Sequence, residues 1–266
     1  MKKLVIALAT MAAFTGSAIA ADMAPRTYSK APAPAEAVMS WTGFYVQGGF
    51  GYGLWSADTT TINSLTGVCV LCVNQQQGGK GWLGTVGAGY DWQLAPKWVI
   101  GVLGDYDFSD IKGTVQDQGP FSVATYKQDW AWSAGARIGY LITPSVLSYF
   151  SAGYTEAHFK GSEAFRAFAG APFGPPGFSY QNITTGGWFL GSGFEAQVLM
   201  PGLFVRSEYR YARYDTKDIA SCNNATGLCG NAATGQNSIR FQPDVQTVRT
   251  SLVYKYNWGG PLVAKY

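Results

Sequence analysis

LFVRSEYRY, residues 203–211, alternates at period two. One set is Leu203, Val205, Ser207, Tyr209 and Tyr211; the other is Phe204, Arg206, Glu208 and Arg210. Branched and aromatic side chains interleaved with charged ones specify a β-strand. A soluble strand turns its charged face to outer water and its apolar face to a core. The same pattern with water inside and hydrocarbon outside describes a membrane barrel. The rest of the chain decides between them.

Only 13% of the 266 residues are charged, half the ~25% of soluble domains. Aromatics reach 15% and there are 34 glycines, yet mean hydropathy is zero. Such a chain suits neither a soluble enzyme nor a helical membrane protein.

The first residues, MKKLVIALATMAAFTGSAIA, carry a basic start at Lys2 and Lys3. An apolar run from Leu4 to Phe14 and a small-x-small site at Ala18–Ala20 follow. This predicts a cleaved signal peptide over residues 1–20, because the apolar run is shorter than a helical span requires. Its loss would leave 17 basic side chains against 16 acidic ones, so no basic field points to nucleic acid. Residues 21–40 are rich in Ala and Pro and read as a flexible periplasmic lead, with the barrel over 41–266.

From Trp41 onward, eight alternating runs stand out, near 41–55, 80–94, 98–108, 125–142, 146–159, 184–199, 203–214 and 244–257. In the second, Trp82, Val86, Tyr90 and Trp92 oppose Thr85, Asp91 and Gln93; in the third, Trp98, Ile100, Val102 and Phe108 oppose Asp105 and Asp107. The fourth sets Trp130, Trp132, Ile138 and Tyr140 against Asp129, Ser133 and Arg137. The sixth sets Trp188, Leu190 and Phe194 against Glu195, and the eighth sets Val248, Leu252, Tyr254 and Tyr256 against Arg249 and Lys255. The first is softer, Phe44, Val46, Phe50 and Tyr52 opposing Gln47 and glycines, and the fifth is ambiguous because Glu156 and His158 share the parity of Phe150 and Tyr154.

Trp82, Trp92, Trp98, Tyr140, Trp188 and Tyr256 fall near run ends, where the two interfacial girdles of a membrane barrel lie. Connections alternate in length. Those at 95–97, 143–145 and 201–202 are tight, whereas 56–79, 109–124, 160–183 and 215–243 are long and polar. Short periplasmic turns and long outward loops have this rhythm, and in lipid the sheet must close on itself. The expected fold is all-β: an eight-stranded antiparallel up-and-down transmembrane barrel, its apolar face against outer-membrane lipid.

The inward set then holds Asp91, Asp105, Asp107, Glu195 and Glu208 against Arg137, Arg206, Arg210, Arg249 and Lys255. An eight-stranded barrel is just wide enough for its own side chains, so these charges are expected to pair across the lumen, with Glu208 held between Arg206, Arg210 and a lumen neighbour. The alternative is a narrow charged pore.

Other motifs carry less. Cys69, Cys72, Cys222 and Cys229 form an even set in an exported chain, and disulfides are expected. Local bridges are favoured, although spacing alone leaves the pairing open. Cys69-x-x-Cys72 lacks the histidines of a zinc site and the βαβ context of a redox site. His158, the sole histidine, has Glu156, Ser162 and Glu163 nearby but no recognisable catalytic motif. Gly84–Gly89 lacks a following helix, and Gly79-Lys80 lacks the rest of a P-loop. No cofactor is implied. FRAFAGAPFGPPGFSY, residues 165–180, is aromatic enough to bind a surface ligand or to cover the barrel mouth.

WTGFYV at 41–46, EYRY at 208–211 and VRTSLVY at 248–254 together resemble the alphaproteobacterial outer-membrane immunogenic proteins, porin-like surface antigens with an OmpA-like eight-stranded barrel. The resemblance covers about residues 21–266, and WTGFY is its most specific element. It implies insertion by the barrel-assembly machinery, roles in envelope integrity and surface antigenicity, and weak pore activity. Barrels of this type end on an aromatic residue of the last strand. Here NWGGPLVAKY follows Tyr256, leaving Tyr256, Trp258 and Tyr266 as alternatives for the assembly signal. The leading expectation is a non-enzymatic surface barrel, ahead of a low-conductance porin and a ligand binder acting through its loops.

Overall fold

The computed structural model describes residues 40–63, 65–69, 72, 74–116, 122–166, 177–229 and 237–256. The signal segment 1–20, nearly all of the 21–40 lead, residues 167–176 of the aromatic loop, and Trp258 and Tyr266 lie outside them.

Eleven strands are described: β1 (Gly43–Asn63), β2 (Gln75–Ala95), β3 (Trp98–Gln116), β4 (Ser122–Thr143), β5 (Val146–Gly161), β6 (Glu163–Arg166), β7 (Phe178–Tyr180), β8 (Ile183–Gln197), β9 (Leu203–Tyr214), β10 (Lys217–Asn223) and β11 (Asn237–Tyr256). Eight of them form an antiparallel ring, β1-β2-β3-β4-β5-β8-β9-β11. It closes where β11 pairs with β1, Tyr256 opposite Phe44. The eight expected runs map onto these strands one for one.

The outer face is apolar between two aromatic belts. Trp98 and Tyr140 pack edge-on, 5.2 Å between centroids, at the turn end, and Tyr52–Trp82 and Trp188–Tyr211 lie at the far end, 5.1 and 5.7 Å apart. Ten residues of β3 separate Trp98 from Phe108, roughly 25 Å of height for a strand tilted ~40°, which matches the apolar band of such barrels. Phe50 and Trp82 are about two-thirds exposed there, at 65% and 66%.

Beyond the outer belt the wall continues, contrary to the expected long loops. β1 runs to Asn63, β3 to Gln116, and β4 and β11 begin at Ser122 and Asn237. The sorting of side chains reverses there. Trp55, Ala57, Ile111, Val115, Tyr126, Phe159, Ile239 and Phe241 turn inward and are buried, while Asp58, Lys112, Thr125, Lys160 and Arg240 face out. Both patterns have period two, so the strands run on unbroken; only the medium outside changes from lipid to water. A search for apolar-out alternation therefore stops at the interface.

β5, β8 and β9 end near this level, and three short strands replace them. β6 pairs with β4, β7 with β6, β10 with β7, and β11 with β10. The ring closes a second time as β1-β2-β3-β4-β6-β7-β10-β11, again with eight members.

Register shifts between Phe108 and Ile111 and between Gln128 and Trp130 mark bulges. An extra residue rotates the side chains beyond it relative to the facing strand. Gln128 and Ala131 are buried inward, and Asp129, which shares a face with Ser133 and Arg137 by parity, lies on the outer face instead. In β5, Glu156 and His158 face out, while Leu147, Tyr149, Ser151, Thr155 and Ala157 face in.

The interior is layered. Trp41, Tyr45, Val99, Leu141, Leu147, Phe204 and Val253 form an apolar floor. Trp41 closes it, its indole N–H donating to the Pro144 carbonyl at 3.0 Å and its ring centroid 4.9 Å from that of Phe204. Above the charged middle, a second apolar cluster around Trp55, Phe159, Phe189, Tyr214 and Phe241 fills the outer extension. Phe189 fits only because two glycines face it across the ladder: a Cβ at Gly135 or Gly153 would lie 2.9 or 2.8 Å from its ring.

Two outer hairpins end in the same turn. In NSLTGVC (63–69) and NNATGLC (223–229), the Asn63 and Asn223 side chains accept from backbone N–H groups two and three residues on. Gly67 and Gly227 take the left-handed conformation, φ 66° and 69°, which glycine adopts without strain. Cys69 bridges Cys72 and Cys222 bridges Cys229.

Phe241→Ala should remove about 3–5 kcal/mol from the outer core, opening the hairpins beyond Trp55 to protease while the membrane ring keeps its folded electrophoretic mobility. Unchanged protection would contradict a packed extension.

Candidate functional site: the charged lumen

The inward positions of six ring strands deliver ten charged side chains to the middle of the barrel, each buried. They sort into two layers. The lower holds Asp91, Arg137, Glu195, Arg206 and Lys255. Arg137 clasps Asp91 with Nε, at 2.8 Å, and with Nη2, and reaches Glu195 at 3.1 Å. Arg206 donates to Glu195 from Nε and Nη2, at 2.9 and 2.6 Å, and from Nη1 to Gln47 at 2.5 Å. Lys255 bridges Asp91 and Glu195 at 2.8 and 2.9 Å.

The upper layer holds Asp105, Asp107, Glu208, Arg210 and Arg249. Arg210 grips Asp105 bidentately, both bonds 2.9 Å, and donates to Glu208 at 3.0 Å. Arg249 reaches Asp105 and Asp107 at 3.1 Å and Glu208 at 2.5 Å. The Tyr149 hydroxyl donates to the other Glu208 oxygen at 2.8 Å. Arg206 does not hold Glu208, contrary to expectation; its place in the lower layer, opposite Glu195 in the β8–β9 register, gives it to that carboxylate.

Three bases meet two acids below, and two bases meet three acids above. Each layer has one charge in excess and the excesses are opposite, so the layers attract. Aromatic rings seat the cations. Arg137 and Arg206 lie 4.7 and 4.6 Å from the Tyr45 centroid, Arg210 lies 4.1 Å from Phe189, and Lys255 lies 4.2 Å from Trp41. Such contacts gain about 2 kcal/mol when desolvated. Among the described residues no cluster of His, Cys, Asp or Glu could hold a metal ion.

Alternation in the sequence identifies the charges but not their supports Tyr45, Tyr149, Phe189 and Trp41. Inward parity within their runs is the signal for all four, and the preference of aromatic rings for the lipid face masks it.

The expected belt residues Trp82, Trp92, Trp98, Tyr140, Trp188 and Tyr256 all point outward and are exposed. His158 is also on the outer wall. Its Nδ1 lies 2.6 Å from Asp129, and its ring stacks on Trp130 at 5.5 Å. Ser162 does not join it; its hydroxyl accepts from the Thr125 N–H and donates to the Glu163 carbonyl. Just beyond the belt, hydrogen bonds from Lys127 and Lys112 hold the Asp110 carboxyl below its usual range. In the outer core, burial pushes the Tyr126 hydroxyl well above the tyrosine range.

Removing one member of a buried ion pair strands its partners, at a cost of about 3–5 kcal/mol. Glu208→Ala leaves an Arg210 Nε and an Arg249 Nη2 unanswered and should lower the unfolding temperature of the folded barrel markedly. Lys255→Met should cost less, because Asp91 keeps Arg137, and Glu195 keeps Arg137 and Arg206. Denaturant titrations followed by heat-modifiable mobility rank the two; equal midpoints would speak against charge pairing as what holds the lumen.

The family model for the outer membrane protein beta-barrel domain matches residues 6–255. The 31 kDa outer-membrane immunogenic protein of Brucella melitensis is 26% identical over 264 residues, covering 96% of this chain and all of that one. The 25 kDa outer-membrane immunogenic protein of Brucella ovis is 30% identical over 225 residues, covering 82% of this chain and 94% of that one. Among solved structures, the outer membrane protein OprG from Pseudomonas aeruginosa superposes with a TM-score of 0.50 at 14% identity, covering 82% of this chain and 98% of that one, and so shares the fold. With a closed eight-strand ring, an apolar outer band and a family match over almost its whole length, the chain belongs to the outer-membrane β-barrel protein family and resides in the bacterial outer membrane.

Proposed function

We propose that this barrel is a non-enzymatic envelope and surface protein whose lumen is filled rather than conducting. One observation carries the reading: ten paired charges lie between an apolar floor and an apolar outer core, each layer spanning the lumen. A solute path would have to break several ion pairs at once, and unpaired charge in so confined a space is costly. The Brucella relatives, named as outer-membrane immunogenic proteins, support a surface role. Insertion depends on the barrel-assembly machinery in this reading.

A second reading, surface recognition through the outer hairpins, is favoured by the duplicated turn, which leaves Leu65, Val68 and Leu228 exposed at two separate tips. It is compatible with a filled lumen.

Folded protein in a planar bilayer should give no reproducible current steps, and vesicles containing it should not swell in small sugars. Steps whose ion selectivity changes in Arg206→Ala or Asp105→Ala would make the molecule a porin and displace this reading.

A further inference from the structure

Just outside the outer aromatic belt, the ladder aligns four lysines on four adjacent strands. Lys80 of β2 is directly opposite Lys112 of β3, Lys112 opposite Lys127 of β4, and Lys127 opposite Lys160 of β5. All four face outward, away from the barrel interior. At ~4.8 Å between strands the row is about 14 Å long. Like charges directly opposite one another destabilise a sheet, and here the clash occurs three times in succession. Asp110 relieves only the middle of the row, at 3.0 Å from Lys112 and 2.7 Å from Lys127. Lys80 and Lys160 have no acidic partner within 4.0 Å among the described residues. The nearby acids Asp129 and Glu156 are bound to His158 and to the Trp132 indole. On β9, β10 and β11, by contrast, Arg213 meets Asp244 and Arg240 meets Asp218.

Position supplies the second observation. Lys80 lies two residues beyond Trp82, so the row begins about 5 Å above the outer belt, at headgroup depth, and changes height by about 3 Å per strand across strands tilted ~40°. Beneath it lies the apolar band, with Trp82, Phe108, Phe150 and Ile138 exposed on the same strands. A cationic row above an apolar lipid-facing band is complementary to an amphiphile with an anionic head and acyl tails.

We propose that the Lys80–Lys112–Lys127–Lys160 row is a binding site for the phosphorylated headgroup of an outer-leaflet glycolipid, whose acyl chains lie against the apolar band below. The ligand neutralises the lysine repulsion and fixes the lipid on one side of the barrel, the β2–β5 side.

The test uses the folded full barrel in neutral detergent, with phosphorylated lipid A added to the micelles and its unfolding temperature followed. Phosphorylated lipid A should raise that temperature by several degrees, whereas dephosphorylated lipid A and inorganic phosphate should not. The combined substitution Lys80→Gln, Lys112→Gln, Lys127→Gln and Lys160→Gln should abolish the shift and weaken binding about tenfold, as expected of four exposed ion contacts. Without lipid, this variant should melt at or above the parent temperature, since a repulsion has been removed. Asp110→Asn, which frees Lys112 and Lys127, should enlarge the lipid-induced shift. An undiminished shift in the lysine variant, or an equal shift with dephosphorylated lipid A, would overturn the site. The full effect from inorganic phosphate would make the row a small-anion site and overturn the glycolipid assignment.

Discussion

No backbone polar group can be left unpaired in hydrocarbon, and the rest of this molecule depends on that constraint. It forces β11 back onto β1, and a ring closed with eight strands leaves a lumen only as wide as a few side chains. Once the ring is closed, the inward positions cannot be left empty or wet at random. Guanidinium and carboxylate groups fill them because planar forks can join several strands at once. Arg249 alone ties β11 to two aspartates of β3 and to Glu208 of β9. Charge pairing here acts as a set of spokes across a wheel whose rim is the hydrogen-bonded ladder.

The same wall serves two solvents. Within the membrane it is polar inside and apolar outside; beyond the outer belt it becomes an ordinary soluble sheet, apolar inside and polar outside. β1 makes the change within a few residues, from Phe50 and Tyr52 outward to Trp55 and Ala57 inward. Bulges in β3 and β4 sit near this boundary, where a local twist lets the wall change partners from lipid to water. The handover from β5, β8 and β9 to β6, β7 and β10 keeps the upper ring without a free edge, which in water is protection against strand addition from other chains.

The transmembrane half was legible because lipid imposes a strong alternation: Trp98 to Phe108 on β3 and Val248 to Tyr256 on β11 announce themselves by composition. The ten lumen charges followed from parity alone. Their pairing did not, because partners come from strands far apart in the chain, as with Lys255 and Asp91. The outer extension resembles loop in the sequence because its outward residues are Thr, Gln, Gly and Lys, which also make loops. Parity misplaces Asp129, because a bulge leaves no mark in a count of odd and even positions.

The doubly closed ring has a consequence for anything that approaches from outside the cell. Its outer face is assembled from short strands that are neighbours in space and strangers in sequence: Ser179 beside Cys222, Lys217 beside Phe241, Val123 beside Phe165. A receptor or an immunoglobulin meets a pleated, conformational footprint drawn from three or four distant segments. Such a footprint exists only while the barrel is folded, and no single linear peptide of the chain reproduces it.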